Sequence, residues 1–365
     1  MKNNQSLAII GGYDMISKAF FTECKKFNDN SIFINLNNNQ IKNKESYKLT
    51  YSEGRQYPKL ISLIKSIFSC CLKIFKWKPD IIHAHYMGVN GLLALLLPSK
   101  RKIFTAWGTD IIFETAGLFL IKRMINVASI ITVDAEHMRQ KLMQLGADEK
   151  KIHRINFGIE TDIFTKREKE TEFREKLFPG SASNDEIILS LRNHDPIYDI
   201  PTLIKAIPIV LSELPETKFA IGGYGPLTDS YKRLAKELEV DKSICFFGKY
   251  KHDELPQLLS QASIYVSTSL SDAGIAASTA EAMSCEVPVI ISNTGENDTW
   301  IENDVNGILF DASDHQALAE NINILLKDDS LKERLGTKGR EIIIKNNDYN
   351  NEMSKMQGLY YGLLD

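Results

Sequence analysis

The feature that most constrains this chain is an alternation that runs, stops and starts again. Ser6–Ile10, Ser31–Asn35, Asp80–His83, Ile103–Thr105, Ile130–Val133 and Ile152–Ile155 are short apolar runs, and helical periodicity fills the gaps between them. Strands buried on both faces read as continuous apolar runs, so the pattern predicts an α/β fold with parallel sheets. The charged stretch Lys166–Lys176 and the PGSASND segment Pro179–Asp185 interrupt it and read as a linker. The alternation then restarts with Glu186–Leu191, Lys218–Ile221, Ile244–Phe247, Ile264–Ser267, Pro288–Ile291 and Ile308–Phe310. The expected organisation is a first Rossmann-like domain over 1–165, a linker over 166–185, a second Rossmann-like domain over 186–345, and a closing helix over 346–365 that packs back on the first domain.

Ligands of open α/β sheets bind beyond the carboxyl ends of the strands. Functional residues are therefore expected just after strands in both halves, with the two edges facing each other across a cleft. A length of 365 residues fits two domains, and 43% apolar with 25% charged residues excludes a disordered chain. The longest apolar run, near Leu92–Leu97, is far short of the roughly 20 residues that span a bilayer. The first apolar run is also too short for a signal peptide. Five cysteines show no metal spacing, and their odd number suits reduced thiols, so a cytoplasmic setting is expected. Charge is uneven. The first 165 residues hold 23 Lys and Arg against 14 Asp and Glu, whereas the remainder holds 21 against 33. A basic first half suggests an anionic surface as partner. No nucleic-acid module is recognisable, so nucleic acid is not expected. Lys59–Lys78 carries five lysines and no acid. Its apolar arc suits a crossover helix packed on the first sheet, and its basic face suits the inner face of a membrane.

Several residues at strand ends are candidates for chemistry. Gly11 and Gly12 follow the first strand, where glycine lets backbone amides approach a phosphate or sugar, although a tight turn alone would select the same residues. Ile221–Pro226 is the matching turn of the second half, with Gly223 and Gly225, but it lacks a dinucleotide fingerprint. In Ser267–Ile291 a strand is followed by the SDAG loop and a helix containing Glu281. The helix start offers amides suited to a diphosphate. Glu281 suits a ribose, or is simply a solvated helix residue. In DIIHAHY, which holds His83 and His85, one histidine reads better as packed or hydrogen-bonded than as catalytic, and no metal constellation accompanies them.

These residues resemble family 4 of the retaining glycosyltransferases, which have the GT-B fold. Glu281-Ala282-Met283-Ser284-Cys285 followed by Pro288-Val289-Ile290 is similar to the family's EAMACGxPV signature. Arg192, Gly223–Pro226, Phe246-Phe247-Gly248, Asn306-Gly307, and Phe157-Gly158-Ile159 with Phe164 match further family segments. The resemblance covers nearly the whole chain. It implies a donor site built from Arg192, Tyr198, Gly223, Gly225, Phe247, Asp272, Ala273, Gly274, Ile275, Ala276 and Glu281. It also implies an acceptor side shaped by Gly11, Gly12, Trp107 and Asp110. Arg192, Glu281 and Asp110 are the catalytic candidates. The chain departs from the family at three positions: Ala273 stands where a glutamate is usual, Tyr198 where a lysine is usual, and Trp107 where a histidine is usual.

The implied reaction moves a sugar from a UDP- or GDP-sugar to a glycan or lipid-linked glycan, with retention, in surface polysaccharide synthesis. No Asp-x-Asp motif serves a metal-bound diphosphate, so neither metal nor cofactor is expected. Two rival readings are a nucleotide-sugar 2-epimerase and a non-catalytic sugar-binding partner of a polysaccharide assembly complex.

Overall fold

The computed structural model describes residues 6–11, 31–35, 47–48, 75, 78–112, 117–180, 185–272 and 274–364, with only the backbone of 31–35, 47–48, 109 and 112. Gly12, Ala273 and nearly all of Lys59–Lys78, including Lys59, Lys65, Lys73 and Lys76, lie outside the described residues. The chain forms two compact units. One comprises Met1–Phe157 with Asn350–Asp365, and the other comprises Gly158–Tyr349.

The first unit holds β1 (Leu7–Gly11), β2 (Ser31–Asn35), β3 (Tyr47–Lys48), β4 (Ile81–His85), β5 (Arg101–Ala106), β6 (Ile130–Val133) and β7 (Ile152–Arg154). They form one sheet in the order β3-β2-β1-β4-β5-β6-β7, and every pairing is parallel. The second unit holds β8 (Ile187–Leu191), β9 (Lys218–Gly222), β10 (Ile244–Gly248), β11 (Ile264–Ser267), β12 (Val289–Ser292) and β13 (Ile308–Phe310). Their order is β10-β9-β8-β11-β12-β13, again all parallel. Both sheets are doubly wound. The chain works outward from β1 or β8 in one direction, then returns to the other side through β4 or β11. The loops leaving the strands diverge at that reversal, and this is where such sheets bind ligands.

Central strands are buried along their whole length, as continuous apolar runs require: β1, β4, β6, β8, β11 and β12 have no exposed residue. In the second unit, the helices Ile200–Glu213 and His315–Lys327 pack together and bury Leu203, Ile207, Leu318 and Ile322 on the sheet. Truncating one of these to alanine costs about 2–5 kcal/mol.

The structure corrects the linker expected over 166–185. Thr171–Leu177 is a helix in the second unit, and Leu177, Phe178 and Arg174 are buried. Arg174 is 1% exposed and donates to the carbonyls of Gln261 (3.2 Å) and Asp185. The long arginine stem packs among apolar groups while its guanidinium is satisfied by backbone, which a run of charges conceals in sequence. The boundary between units also falls earlier than residue 165, at Phe157–Gly158. The last helix, Tyr349–Leu364, belongs almost wholly to the first unit and buries Met353, Met356 and Tyr360. Its Glu352 accepts a 2.7 Å hydrogen bond from the backbone of Asn156.

Candidate active site

Arg192 is the first residue after β8, one of the two strands at the reversal of the second sheet. Its side chain is 9% exposed and pairs with Asp272, Nη2 to Oδ1 at 2.6 Å. The same nitrogen reaches Ser269 Oγ at 3.3 Å. The guanidinium lies 4.5 Å from the centroid of the Tyr198 ring, within cation–π range. Burial works against the charge, but Asp272, then Tyr265 and Tyr198, outweigh it and hold the Arg192 pKa above its usual value. Arg192 Nε finds no partner among the described residues. A buried cationic donor left unused is costly unless something else takes it.

The Arg192 turn and the loop after β11 are tied together. Thr268 Oγ1 donates to the Tyr198 carbonyl at 2.8 Å, and the Leu270 amide donates to Ile197 at the same distance. From the other side, Ser292 and Thr294, at the end of β12, both donate to the Ser269 carbonyl. Gly295 completes the clamp. Its φ is +60°, and a Cβ there would strike the Asp272 carbonyl, so only glycine fits. Gly223 plays the corresponding part after β9. Its φ is +107°, and a Cβ would strike the carbonyl of Arg192. These glycines let neighbouring strand-end turns approach closely.

Beyond the loop, the helix Ala277–Ser284 begins without a side-chain cap, leaving its first amides available. Gly274 and Ile275 before it are buried, and Ala276 is its N-cap. Glu281 sits on this helix at 7% exposure. Burial pushes its carboxyl pKa up to about 8, so it is largely protonated at neutral pH. His252 Nδ1, in the turn after β10, is 4.0 Å from Glu281 Oε1. Tyr250, whose pKa is raised by burial and then by Tyr265 and Glu281, also feels Arg192 acting in the opposite direction. Arg192 and Glu281 therefore both act on Tyr250. Phe247 packs beside Gly222, with its ring 6.2 Å from that of Tyr250.

The first unit arranges its polar residues differently. His83 of β4 bonds Tyr360 Oη through Nδ1 and Thr105 Oγ1 through Nε2, each at 2.6 Å. Thr105 continues to Thr132 Oγ1 at 2.6 Å, so the chain crosses β4, β5 and β6. His85 stacks on His83 at 4.4 Å and accepts from Trp107 Nε1 at 3.3 Å. Burial lowers both histidine pKa values, that of His85 to about 3, so both are neutral. His83 and His85 are thus packed, hydrogen-bonded residues. Asp110 is buried and accepts from the backbone amides of Met87 (2.7 Å) and Trp107 (3.1 Å), fixing the turns that follow β4 and β5. Gly11 ends β1 and is buried within it.

Of the residues singled out in the sequence, the structure gathers Tyr198 and Asp272 around the buried Arg192 guanidinium and the Gly223 turn against the Arg192 backbone, with Tyr250 in electrostatic reach of both Arg192 and Glu281. Asp110 and Trp107 sit together in the other unit. Sequence reading missed Ser269, His252, Tyr250 and Gly295. All four lie in the loops or turns that follow β10, β11 and β12, so the strand-end rule could have found them. Among the described residues, no three His, Cys, Asp or Glu side chains gather to hold a metal ion.

Residues 170–342 match the family model for glycosyl transferases group 1, and residues 38–163 match that for Glycosyltransferase Family 4. A curated relative is the N-acetyl-alpha-D-glucosaminyl L-malate synthase of Bacillus anthracis, 24% identical over 294 residues, covering 78% of this chain and 75% of the relative. Another is the capsular polysaccharide biosynthesis glycosyltransferase CapM of Staphylococcus aureus, 26% identical over 302 residues, covering 77% of this chain and 76% of CapM. Among solved structures, Anabaena Alr3699/HepE in complex with UDP and glucose superposes with a TM-score of 0.78 at 15% identity. That match covers 98% of this chain and all of HepE, which shows a shared GT-B fold. With both halves matched by glycosyltransferase family models and the fold shared end to end, the chain belongs to the group 1, family 4 glycosyltransferases.

Proposed function

We propose that this glycosyltransferase takes a sugar from a UDP- or GDP-sugar and transfers it, with retention at the anomeric carbon, to a glycan or lipid-linked glycan of a surface polysaccharide. The observation that carries this reading is Arg192, a buried guanidinium at the reversal of the second sheet whose Nε has no partner among the described residues. A diphosphate is the ligand such a donor suits, because phosphate oxygens accept charge-assisted hydrogen bonds. The relatives support the substrate class, since CapM serves capsular polysaccharide biosynthesis and HepE binds UDP and glucose.

In this reading the second unit binds the donor. Arg192 and the amides at the start of helix Ala277–Ser284 stabilise charge on the departing diphosphate as the anomeric C–O bond breaks. Glu281 holds the ribose hydroxyls, Phe247 and Tyr250 lie toward the base, and Gly274 to Ala276 line the sugar. In the first unit Trp107 offers an aromatic face to the acceptor, with Asp110 fixing its backbone. Charge stabilisation by Arg192 and amides makes the transfer metal-independent, and EDTA should leave it intact. Basic residues of the first unit bring it to an anionic membrane face, and no described helix is long and apolar enough to cross a membrane. The test is a panel of UDP- and GDP-sugars incubated with a lipid-linked glycan. Acceptor-dependent release of nucleoside diphosphate, with an α-linked product from an α-linked donor, is expected. Turnover without acceptor would point to an epimerase or hydrolase, and no turnover at all to a non-catalytic sugar-binding protein.

A further inference from the structure

We infer that Asp272 competes with the donor's diphosphate for Arg192, so that the site exchanges an internal ion pair for a bound phosphate. The inference rests on the donor reading above and adds a specific antagonist to it. Three observations carry it. First, Asp272 Oδ1 lies 2.6 Å from Arg192 Nη2, and each side chain is 9% exposed, so the charge that should attract a phosphate is already matched. Second, the carboxylate is built in. Ser269 Oγ lies 3.3 Å from Asp272 Oδ1, Ser292 and Thr294 hold the Ser269 carbonyl, and the Gly295 turn lies against the Asp272 backbone. Third, Arg192 is only half used, because Nη2 serves Asp272 while Nε has no partner among the described residues. Nε is itself buried, so a phosphate engages the guanidinium only as the ion pair opens, with the Tyr198 ring lying against its plane.

Two anions on one guanidinium repel each other, and the repulsion is strong where little water screens it. An arriving diphosphate must turn the Asp272 side chain away or bind beside it at reduced affinity. After sugar transfer, the returning carboxylate neutralises Arg192 and helps the nucleoside diphosphate leave. Asp272 is thus a positioning residue that acts through Arg192 on diphosphate affinity.

The test is calorimetric titration of UDP and GDP, with uridine and guanosine as controls, into the full chain and its Asp272→Asn and Asp272→Ser variants. Asparagine keeps the side-chain shape and an acceptor for Arg192 while removing the charge. Serine gives a second variant should asparagine impair folding. The expected result is nucleoside diphosphate binding tighter by about tenfold or more in the variants, unchanged nucleoside binding, and a lower donor KM. If the wild type binds a diphosphate and the variants bind it no more tightly, the competition is overturned while the donor reading stands. If neither wild type nor variants bind any nucleoside diphosphate, the donor reading fails and the inference fails with it.

Discussion

The two units share the order of their first six strands and differ in what their strand ends do with polar groups. In the first, the polar side chains close on one another or on backbone: His83 with Tyr360 and Thr105, Thr105 with Thr132, Asp110 with two amides. Burial there produces neutral histidines. In the second, Arg192 remains charged, and its Nε and Ser267 Oγ lack partners among the described residues. Topology marks the place where a ligand can bind. The buried Arg192–Asp272 pair shows that the strand ends of the second sheet hold charge. Satisfied networks stiffen a fold, whereas unused buried donors need a ligand.

The largest expected effect comes from Arg192→Ala, which should lower kcat/KM by about 10²- to 10³-fold, as loss of a charge-stabilising donor does elsewhere. Nucleoside binding should be spared. Equal loss of nucleoside and nucleoside diphosphate affinity would deny Arg192 a phosphate role. Glu281→Ala follows, with a loss of about 5- to 150-fold in kcat/KM, because the ribose hydroxyls lose their partner in a buried site. Unchanged kinetics would remove Glu281 from the site.

The units should also respond oppositely to pH. Glu281 titrates near 8 when folded and near 4.5 when unfolded. The folded state holds the extra proton between those values, so the stabilising contribution is complete below about pH 4.5 and falls until about pH 8. His85 titrates near 3 when folded against 6.5 unfolded, so its contribution is complete above 6.5 and falls as acid approaches 3. Hydrogen exchange across pH 4.5–8 should show the Ala277–Ser284 helix losing protection as pH rises, with the trend removed by Glu281→Gln. A helix whose protection ignores both pH and Glu281→Gln would contradict the buried carboxyl. The smallest effect belongs to Tyr360→Phe. Losing one hydrogen bond to His83 should cost about 1 kcal/mol of stability and leave donor binding alone. A change in donor affinity would mean that the first unit's polar chain is not purely structural.

Most of the fold was legible because buried parallel strands write themselves as apolar runs. Among the described strands, only β3 escaped, a two-residue strand amid lysines and asparagines at the sheet edge. The helix Thr171–Leu177 was hidden because Arg174 is buried by packing and backbone acceptors that lie far away in sequence. The site was legible as residue types at strand ends. Its pairings were not. Arg192 and Asp272 are 80 positions apart, and nothing local says that one neutralises the other. The need for glycine at Gly295 is equally invisible, because it depends on the carbonyl of Asp272 arriving from another loop.

The central claim is that donor chemistry belongs to the second unit. The most direct measurement is hydrogen exchange of the full chain with and without saturating UDP or GDP. Protection is expected at 192–198, 222–226 and 268–284, with 81–87 and 103–110 unchanged by nucleotide alone. A nucleoside diphosphate that protects 81–110 and leaves 192–198 and 268–284 untouched would contradict the account.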